Sequence, residues 1–289
     1  RTTDINFQVN PSRTDGFDVI IADTPDRDMF KEFLKSKPRR QTMLFRMRGD
    51  PFWGLDEWID SRFKRFLVND VMLKHVDGCI AIAPHQAEIY EQNTGVETQL
   101  AQLPKTVANW PSVKHTDSEL RIVSLTNAVY WPKVKPLIEI APVVDAVLDD
   151  VGGYWKIGSW SEGYSDKLRR ALNDYSHIEY HQPLDAHDAL ANGNIMIHYS
   201  NMDVLPNAIL EGMASRLPVL TNDFEPFQRT DAPIVVNQNN TLETQLRDFV
   251  RPEMREKYGH RGVQYVRAKH SLDAIGQQFK SAIKYFYEQ

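Results

Sequence analysis

Two carboxylates, Asp203 and Glu211, stand on either side of Pro206 in the stretch SNMDVLPNAILEGMASRLPVLTND, residues 200–223. Pro206 suits the first position of a helix, because it lacks the N–H that a first helical turn leaves unpaired anyway. The backbone N–H groups of Val204, Leu205 and Asn207, around Pro206, then point out of the helix start and make an anion site that a pyrophosphate fits. Glu211 lies roughly 7–8 Å along that helix at 1.5 Å per residue. A carboxylate there can accept hydrogen bonds from ribose hydroxyls of a nucleotide whose phosphates sit at the helix start. Asp203, in the loop before it, could hold hydroxyls of a transferred sugar. A plainer reading stays open at this point: Asp203 complements the helix dipole and Glu211 is a solvated helix residue.

Other groupings are weaker. Asp26-Arg27-Asp28 follows a strand and has the form of a cation-binding acid pair that would bridge a diphosphate, but it also reads as an acidic helix start. His181, Asp185, His187 and Asp188 offer metal-ligand types without a structural zinc spacing, and read as surface helix residues. Cys79 falls in an apolar run, which argues against a nucleophilic thiol. There is no glycine-rich dinucleotide fingerprint and no P-loop. Aromatic and basic residues interleave in WIDSRFKRF, 58–66, which reads as a helix with aromatic core contacts or as an acceptor- or membrane-facing surface.

These residues need a scaffold, and short apolar runs alternating with amphipathic segments supply one. FDVIIAD (17–23), TMLFRM (42–47), CIAIAP (79–84) and the weaker TQLAQLP (98–104) read as buried parallel strands, with helices over 27–36 and 56–76. A more regular series follows: LRIVSL (120–125), YWKIG (154–158), IEYHQ (178–182), NIMIHYS (194–200), LPVLTN (217–222) and PIVVN (233–237). Helices over 133–149, 162–175, 184–191, 206–215 and 241–249 separate them, and an amphipathic helix over 271–288 starts at Ser271. This alternation predicts an α/β, doubly wound fold in two Rossmann-like domains. The polar stretch ANWPSVKHTDSE (108–119) places the boundary near 113. The expected domains are 1–113, with the terminal helix 271–289 packing back on it, and 114–270. The first looks reduced or truncated at its N-terminus, since the usual glycine-rich first unit is absent.

The chain has 289 residues, 42% hydrophobic, with a net charge of −5. That is enough for two cores. Nothing in that charge suggests a nucleic-acid footprint, which would need a basic face. One cysteine excludes an intrachain disulfide and fits a reducing, cytoplasmic setting. No apolar run reaches the roughly 20 residues of a membrane span.

The pattern S-x-x-D-x-x-P-N-A-I-L-E-G-M-A-S-x-L-P-V over 200–219 resembles the signature of the GT-B retaining glycosyltransferases of family 4: an acid, seven residues, then Glu, within EG-F-P-N-x-x-L-E-A-M-A-x-G-x-P-V. The resemblance implies two Rossmann-like domains facing a cleft, and transfer of a sugar from a nucleotide-diphosphate donor to a hydroxyl acceptor. It implies retention of configuration and no metal or other cofactor. Asp203 stands at the acid that contacts the donor sugar and Glu211 at the one that holds ribose. IVSLTNAVYWPKVKPLIEIA is similar to the family's phosphate-lysine segment, with Lys133 on the lysine and Lys135 a rival. IEYHQPLDAHDALANGNIMIHYS is similar to the segment that brings His181–Leu184, Gln182 among them, near the nucleobase and Ser200 near the first acid. LFRMRGDPFW occupies the place of a cleft strand, which makes Arg48 and Asp50 candidate catalytic residues on the acceptor side, or else a turn.

Departures from the pattern are Asp for the usual Glu at 203, Val204 and Arg216 for glycines, and Asn127 or Ala128 where the family has a phosphate arginine. The acceptor side is a glycan, a lipid-linked or a small hydroxyl compound, with a peripheral membrane contact admitted. Two other readings remain: a nucleotide-sugar epimerase on the same fold, and a degenerate protein that binds a sugar nucleotide without turnover.

Overall fold

The computed structural model describes residues 16–23, 27–47 and 66–289. The chain divides into two compact units, residues 1–103 with 273–289, and residues 104–272. The expected boundary near 113 therefore moves to 103/104. The polar stretch that suggests a linker belongs to the second unit: Lys105 N–H bonds the His270 carbonyl at 2.6 Å, and Val113 N–H bonds the Ser215 carbonyl at 3.2 Å.

In the first unit, β1 (Val19–Ala22), β2 (Thr42–Arg46), β3 (Gly78–Ala81) and β4 (Thr98–Leu100) form a parallel sheet in sequence order. α1 (Arg27–Arg39) follows β1, and α2 (Pro84–Thr94) follows β3. Right-handed crossovers between strands laid down in one direction put their helices on one face. Phe33 of α1 and Tyr90 of α2 accordingly share a core with Met43, Phe45, Cys79 and Ala81. The alternate residues Leu44 and Ile80 face the other way. They pack with Ala101 against Ala282, Ile283 and Phe286 of the C-terminal helix Leu272–Tyr287. The returning helix covers the face that sequential strand order leaves bare. Gly78 lets it approach: a Cβ there would lie 2.2 Å from the Phe286 ring. Burial pushes the Cys79 thiol well above its ordinary pKa, so it stays protonated.

Only part of the helix expected over 56–76 lies in the described residues. Leu67–Met72 is π-helical and passes into a turn before β3.

The second unit holds β5 (Leu120–Thr126), β6 (Gly153–Ser159), β7 (Ile178–His181), β8 (Ile195–His198), β9 (Val219–Asn222) and β10 (Val235–Asn237). Its helices are α3 (Trp131–Val151), α4 (Ser165–Leu172), α5 (Ala186–Asn192), α6 (Asn207–Ala214), α7 (Glu225–Gln228), α8 (Leu242–Asp248) and α9 (Pro252–Lys269). The sheet is parallel, in the order β10-β9-β8-β5-β6-β7. The inner strands β5, β8 and β9 are buried on both faces, which explains their near-continuous apolar sequences. Trp155 Nε1 donates to Ser124 Oγ at 2.9 Å, and Ser124 Oγ donates to the Ile197 carbonyl at 2.6 Å, tying β6, β5 and β8 together in the core. Strand order reverses between β5 and β8. In such sheets the crevice past the carboxyl ends at this reversal is where ligands bind.

α9 has no counterpart among the helices expected from the sequence. Its buried positions include Arg255, Gly259, Gly262 and Val266, a helical period written in glycine and arginine rather than in apolar side chains. The glycines are needed: a Cβ on Gly259 would lie 2.1 Å from the Arg216 carbonyl oxygen, and one on Gly262 3.0 Å from Met213. α9 thus lies close against α6 and braces it.

Candidate functional site

The loops leaving β5 and β8 meet at the reversal point. Asn201 N–H bonds the Pro132 carbonyl at 3.0 Å, joining the β8 loop to the first turn of α3. Asn222, at the end of β9, accepts from Ser200 N–H at 2.9 Å and donates to Asn201 Oδ1 at 3.0 Å. Ser200 Oγ accepts from Met202 N–H at 3.2 Å, so its hydroxyl holds the loop in shape. The loop so held sets Asp203 against α3. Lys133 Nζ lies 2.5 Å from Asp203 Oδ1, and His198 Nε2 lies 3.2 Å from Oδ2. An ionised carboxylate only accepts, so Nε2 of His198 must carry the proton.

Asp203 is only 9% exposed. Burial pushes its carboxyl up, but the His198 hydrogen bond and the Lys133 charge outweigh this and hold it below the ordinary carboxylate value. A carboxyl whose folded pKa is depressed stabilises the fold in its ionised form. That contribution is complete above the unfolded value and is lost as pH falls through the folded one. Asp203→Asn lacks it. The stability gap between the wild type and Asp203→Asn in urea unfolding is therefore expected to shrink as the pH drops below about 4. A gap that widens on acidification would have the wrong sign.

Helix α6 starts one residue later than the sequence suggests. Pro206 is the capping residue, with φ −68° and ψ 150°, and Asn207 is the first helical position. The N–H groups of Ile209 and Leu210 turn back to the Pro206 carbonyl at 3.1 and 3.5 Å. A helix that begins at Asn207 leaves the N–H groups of Asn207 and Ala208 as donors at its start, and Pro206 has no N–H to add. Val204 and Leu205 are buried, and their side chains anchor the loop. One turn into α6, Glu211 Oε1 lies 2.8 Å from Lys105 Nζ. Lys105 in turn lies 5.3 Å from the Trp110 ring centroid. Arg216 takes φ +67°, the left-handed conformation for which the family pattern has glycine. Its guanidinium pairs with Glu256 of α9.

The structure separates the rival lysines. Lys133 meets Asp203, whereas Lys135 is 53% exposed and lies 3.4 Å from Glu139. Asn127, where a phosphate arginine is expected, serves the loops instead: its Oδ1 accepts from Val129 N–H at 3.2 Å and from Ser161 Oγ at 2.6 Å. Gln182 lies in the β7–α5 loop, which packs down because Gly158 has no side chain; a Cβ there would lie 1.8 Å from Leu184 Cδ2. His181, Asp185, His187 and Asp188 do not converge. His181 meets Glu179 at 2.9 Å, and Asp185 caps α5 by accepting from Asp188 N–H at 2.9 Å. Among the described residues no group of three or more His, Cys, Asp or Glu side chains is arranged to hold a metal. Arg48, Asp50, the Asp26-Arg27-Asp28 side chains and most of the 58–66 segment lie outside the described residues. No helix among the described residues is long and apolar enough to cross a membrane.

Two site residues escape a reading of the sequence. His198 has a signal, a polar residue inside the apolar run NIMIH. Lys105 has none, since it reaches Glu211 across 106 positions.

The two parallel α/β units, each taken by itself, have the fold of the GT-B proteins. TarM, a structure of this kind, superposes with a TM-score of 0.74 at 14% identity, over 94% of this chain and 55% of its own, so the chain spans little more than half of TarM's length. HepE of Anabaena, solved with UDP-glucose, superposes with a TM-score of 0.72 at 10% identity, over 92% of this chain and 78% of its own. No protein-family model matches the chain. A viral protein, ORF31 of the isolate Australia/Victoria, named by inference as a glycosyltransferase, is 34% identical over 280 residues, 96% of this chain and 88% of its own. The chain belongs to the glycosyltransferase family that this relative represents.

Proposed function

We propose that the protein transfers a sugar from a nucleotide-diphosphate donor to a hydroxyl acceptor, with retention of configuration and without a metal. The observation that carries this reading is the placement of Lys133, Asp203 and Glu211 at the reversal point of the second sheet. Lys133 and the Asn207 and Ala208 amides take the diphosphate, a charge the reaction must stabilise as it leaves. Glu211 holds the ribose and Asp203 the sugar hydroxyls. TarM solved with UDP and HepE solved with UDP-glucose are consistent with a donor of this class. Gln182 and the β7–α5 loop lie toward the base. Asp50 and Arg48 are proposed on the acceptor side, where a glycan, a lipid-linked or a small hydroxyl compound would bind, with peripheral membrane contact for a lipid-linked one.

A thermal-shift screen of UDP, GDP, ADP and their sugars should first show a ligand that raises the apparent stability. Glu211→Ala and Lys133→Met are each expected to weaken that ligand by about 10- to 100-fold, the worth of a hydrogen bond to a charged group. Lys135→Met, which removes only an exposed helix pair, should leave it nearly unchanged. Unaltered affinity and transfer in Glu211→Ala would sink the reading. Transfer that stops with a chelator and returns with manganese would overturn its metal-free form. Conversion of the donor sugar with no acceptor present would point to an epimerase instead.

A further inference from the structure

We infer that Trp110, continued by His187, is the surface on which the donor's nucleobase stacks; the inference rests on the donor reading of Glu211. The Lys105 ammonium lies 2.8 Å from Glu211 Oε1 and 5.3 Å from the Trp110 ring centroid. A single small group thus touches both surfaces a nucleoside needs, a carboxylate that accepts from ribose hydroxyls and the π face of an aromatic ring. In the protein alone, Lys105 holds the place of the nucleoside. Ribose takes its position at the carboxylate, and the base takes its position over the indole.

The aromatic surface extends in the required direction. The Trp110 and His187 rings lie 6.2 Å apart between centroids, inclined by 27°. His187 stands in the first turn of α5, beyond Asp185, which caps that helix. The pair therefore spans the ground between Glu211 on α6 and the loop that follows β7. Trp110 is fixed by its own backbone: its N–H bonds the Val107 carbonyl at 3.1 Å, closing a short 3-10 turn, Val107–Asn109. Val113, just beyond it, is bonded to Ser215 past the end of α6, so the segment that carries the indole is tied to the helix that carries Glu211. A rigid indole gives up little conformational freedom on binding, and every base offers a π face, so the platform serves any base and leaves the choice among bases to polar contacts.

The test uses the whole chain and isothermal titration with UDP, GDP and ADP, and with inorganic pyrophosphate. Trp110→Ala is expected to weaken the nucleoside diphosphate by about 10- to 100-fold. Pyrophosphate affinity should stay roughly the same, and Trp110→Phe should recover most of the nucleotide affinity. Wild-type nucleotide affinity in Trp110→Ala overturns the inference. So does an equal loss of nucleotide and pyrophosphate, which is the mark of a structural role. A wild-type protein that binds pyrophosphate but none of the nucleotides overturns the donor reading itself, and this inference falls with it.

Discussion

Asp203→Asn is expected to cut sugar transfer by about 10- to 100-fold while nucleoside diphosphate affinity holds or rises. Asparagine keeps the shape of the side chain, and its amide oxygen can still accept from His198. What disappears is the negative charge that now holds Lys133 Nζ at 2.5 Å. Hydrogen bonds from sugar hydroxyls to a carboxylate are stronger than those to an amide, so the transferred sugar is held less firmly where charge develops. The same change frees Lys133 from its carboxylate and leaves it available to the diphosphate. The two readouts should therefore separate, with kcat/KM falling and the diphosphate dissociation constant steady or lower. A merely structural Asp203 would leave kcat/KM near the wild type, with the lost stability as its only effect. Parallel losses of transfer and diphosphate affinity would instead mean that Asp203 holds the loop rather than the sugar.

Phe286→Ala is expected to destabilise the first unit by about 3–5 kcal/mol, the usual cost of deleting a buried aromatic ring. Phe286 is 5% exposed and packs with Leu44, Ile80 and Ala101 on the face that no described crossover helix covers. Losing the ring leaves a cavity against the sheet. Gly78→Ala meets the same ring from the other side, since its Cβ would lie 2.2 Å away, and is expected to cost about 1–3 kcal/mol by overpacking. The informative measurement is the double mutant. The alanine methyl at 78 grows into the space the ring leaves, so the pair should be less destabilised than the two single costs added together, by roughly 0.5–3 kcal/mol. Amide exchange at Ile80 and Ala81 in β3 reports the first unit separately from the second. Strict additivity would show that the ring and the glycine do not share that contact.

The second sheet is legible in the sequence because its inner strands β5, β8 and β9 are buried on both faces and so appear as apolar runs. α9 is not, because its contact face carries glycines and an arginine. Hydrophobic periodicity registers what a side chain buries, and Gly259 and Gly262 work by having none. The start of α6 falls one residue beyond the expected position, since proline is acceptable both at a cap and at the first helical position. The boundary near 113 rests on polarity, yet backbone hydrogen bonds, which polarity does not encode, fasten residues 104–113 to the second unit.

By itself the sequence determined the alternating architecture and the local grammar of 200–219. An acid, a proline and a second acid within one loop and one helix form a unit whose spacing the chain sets directly. Only the tertiary structure decided which cations those acids meet. Lys133 reaches Asp203 across 70 positions and Lys105 reaches Glu211 across 106, while Lys135, two residues from Lys133, faces solvent. Such pairings follow from strand order in the second sheet and from the backbone bonds that fold 104–113 onto it. Strand order is set by packing over the whole unit and cannot be read from any window of residues.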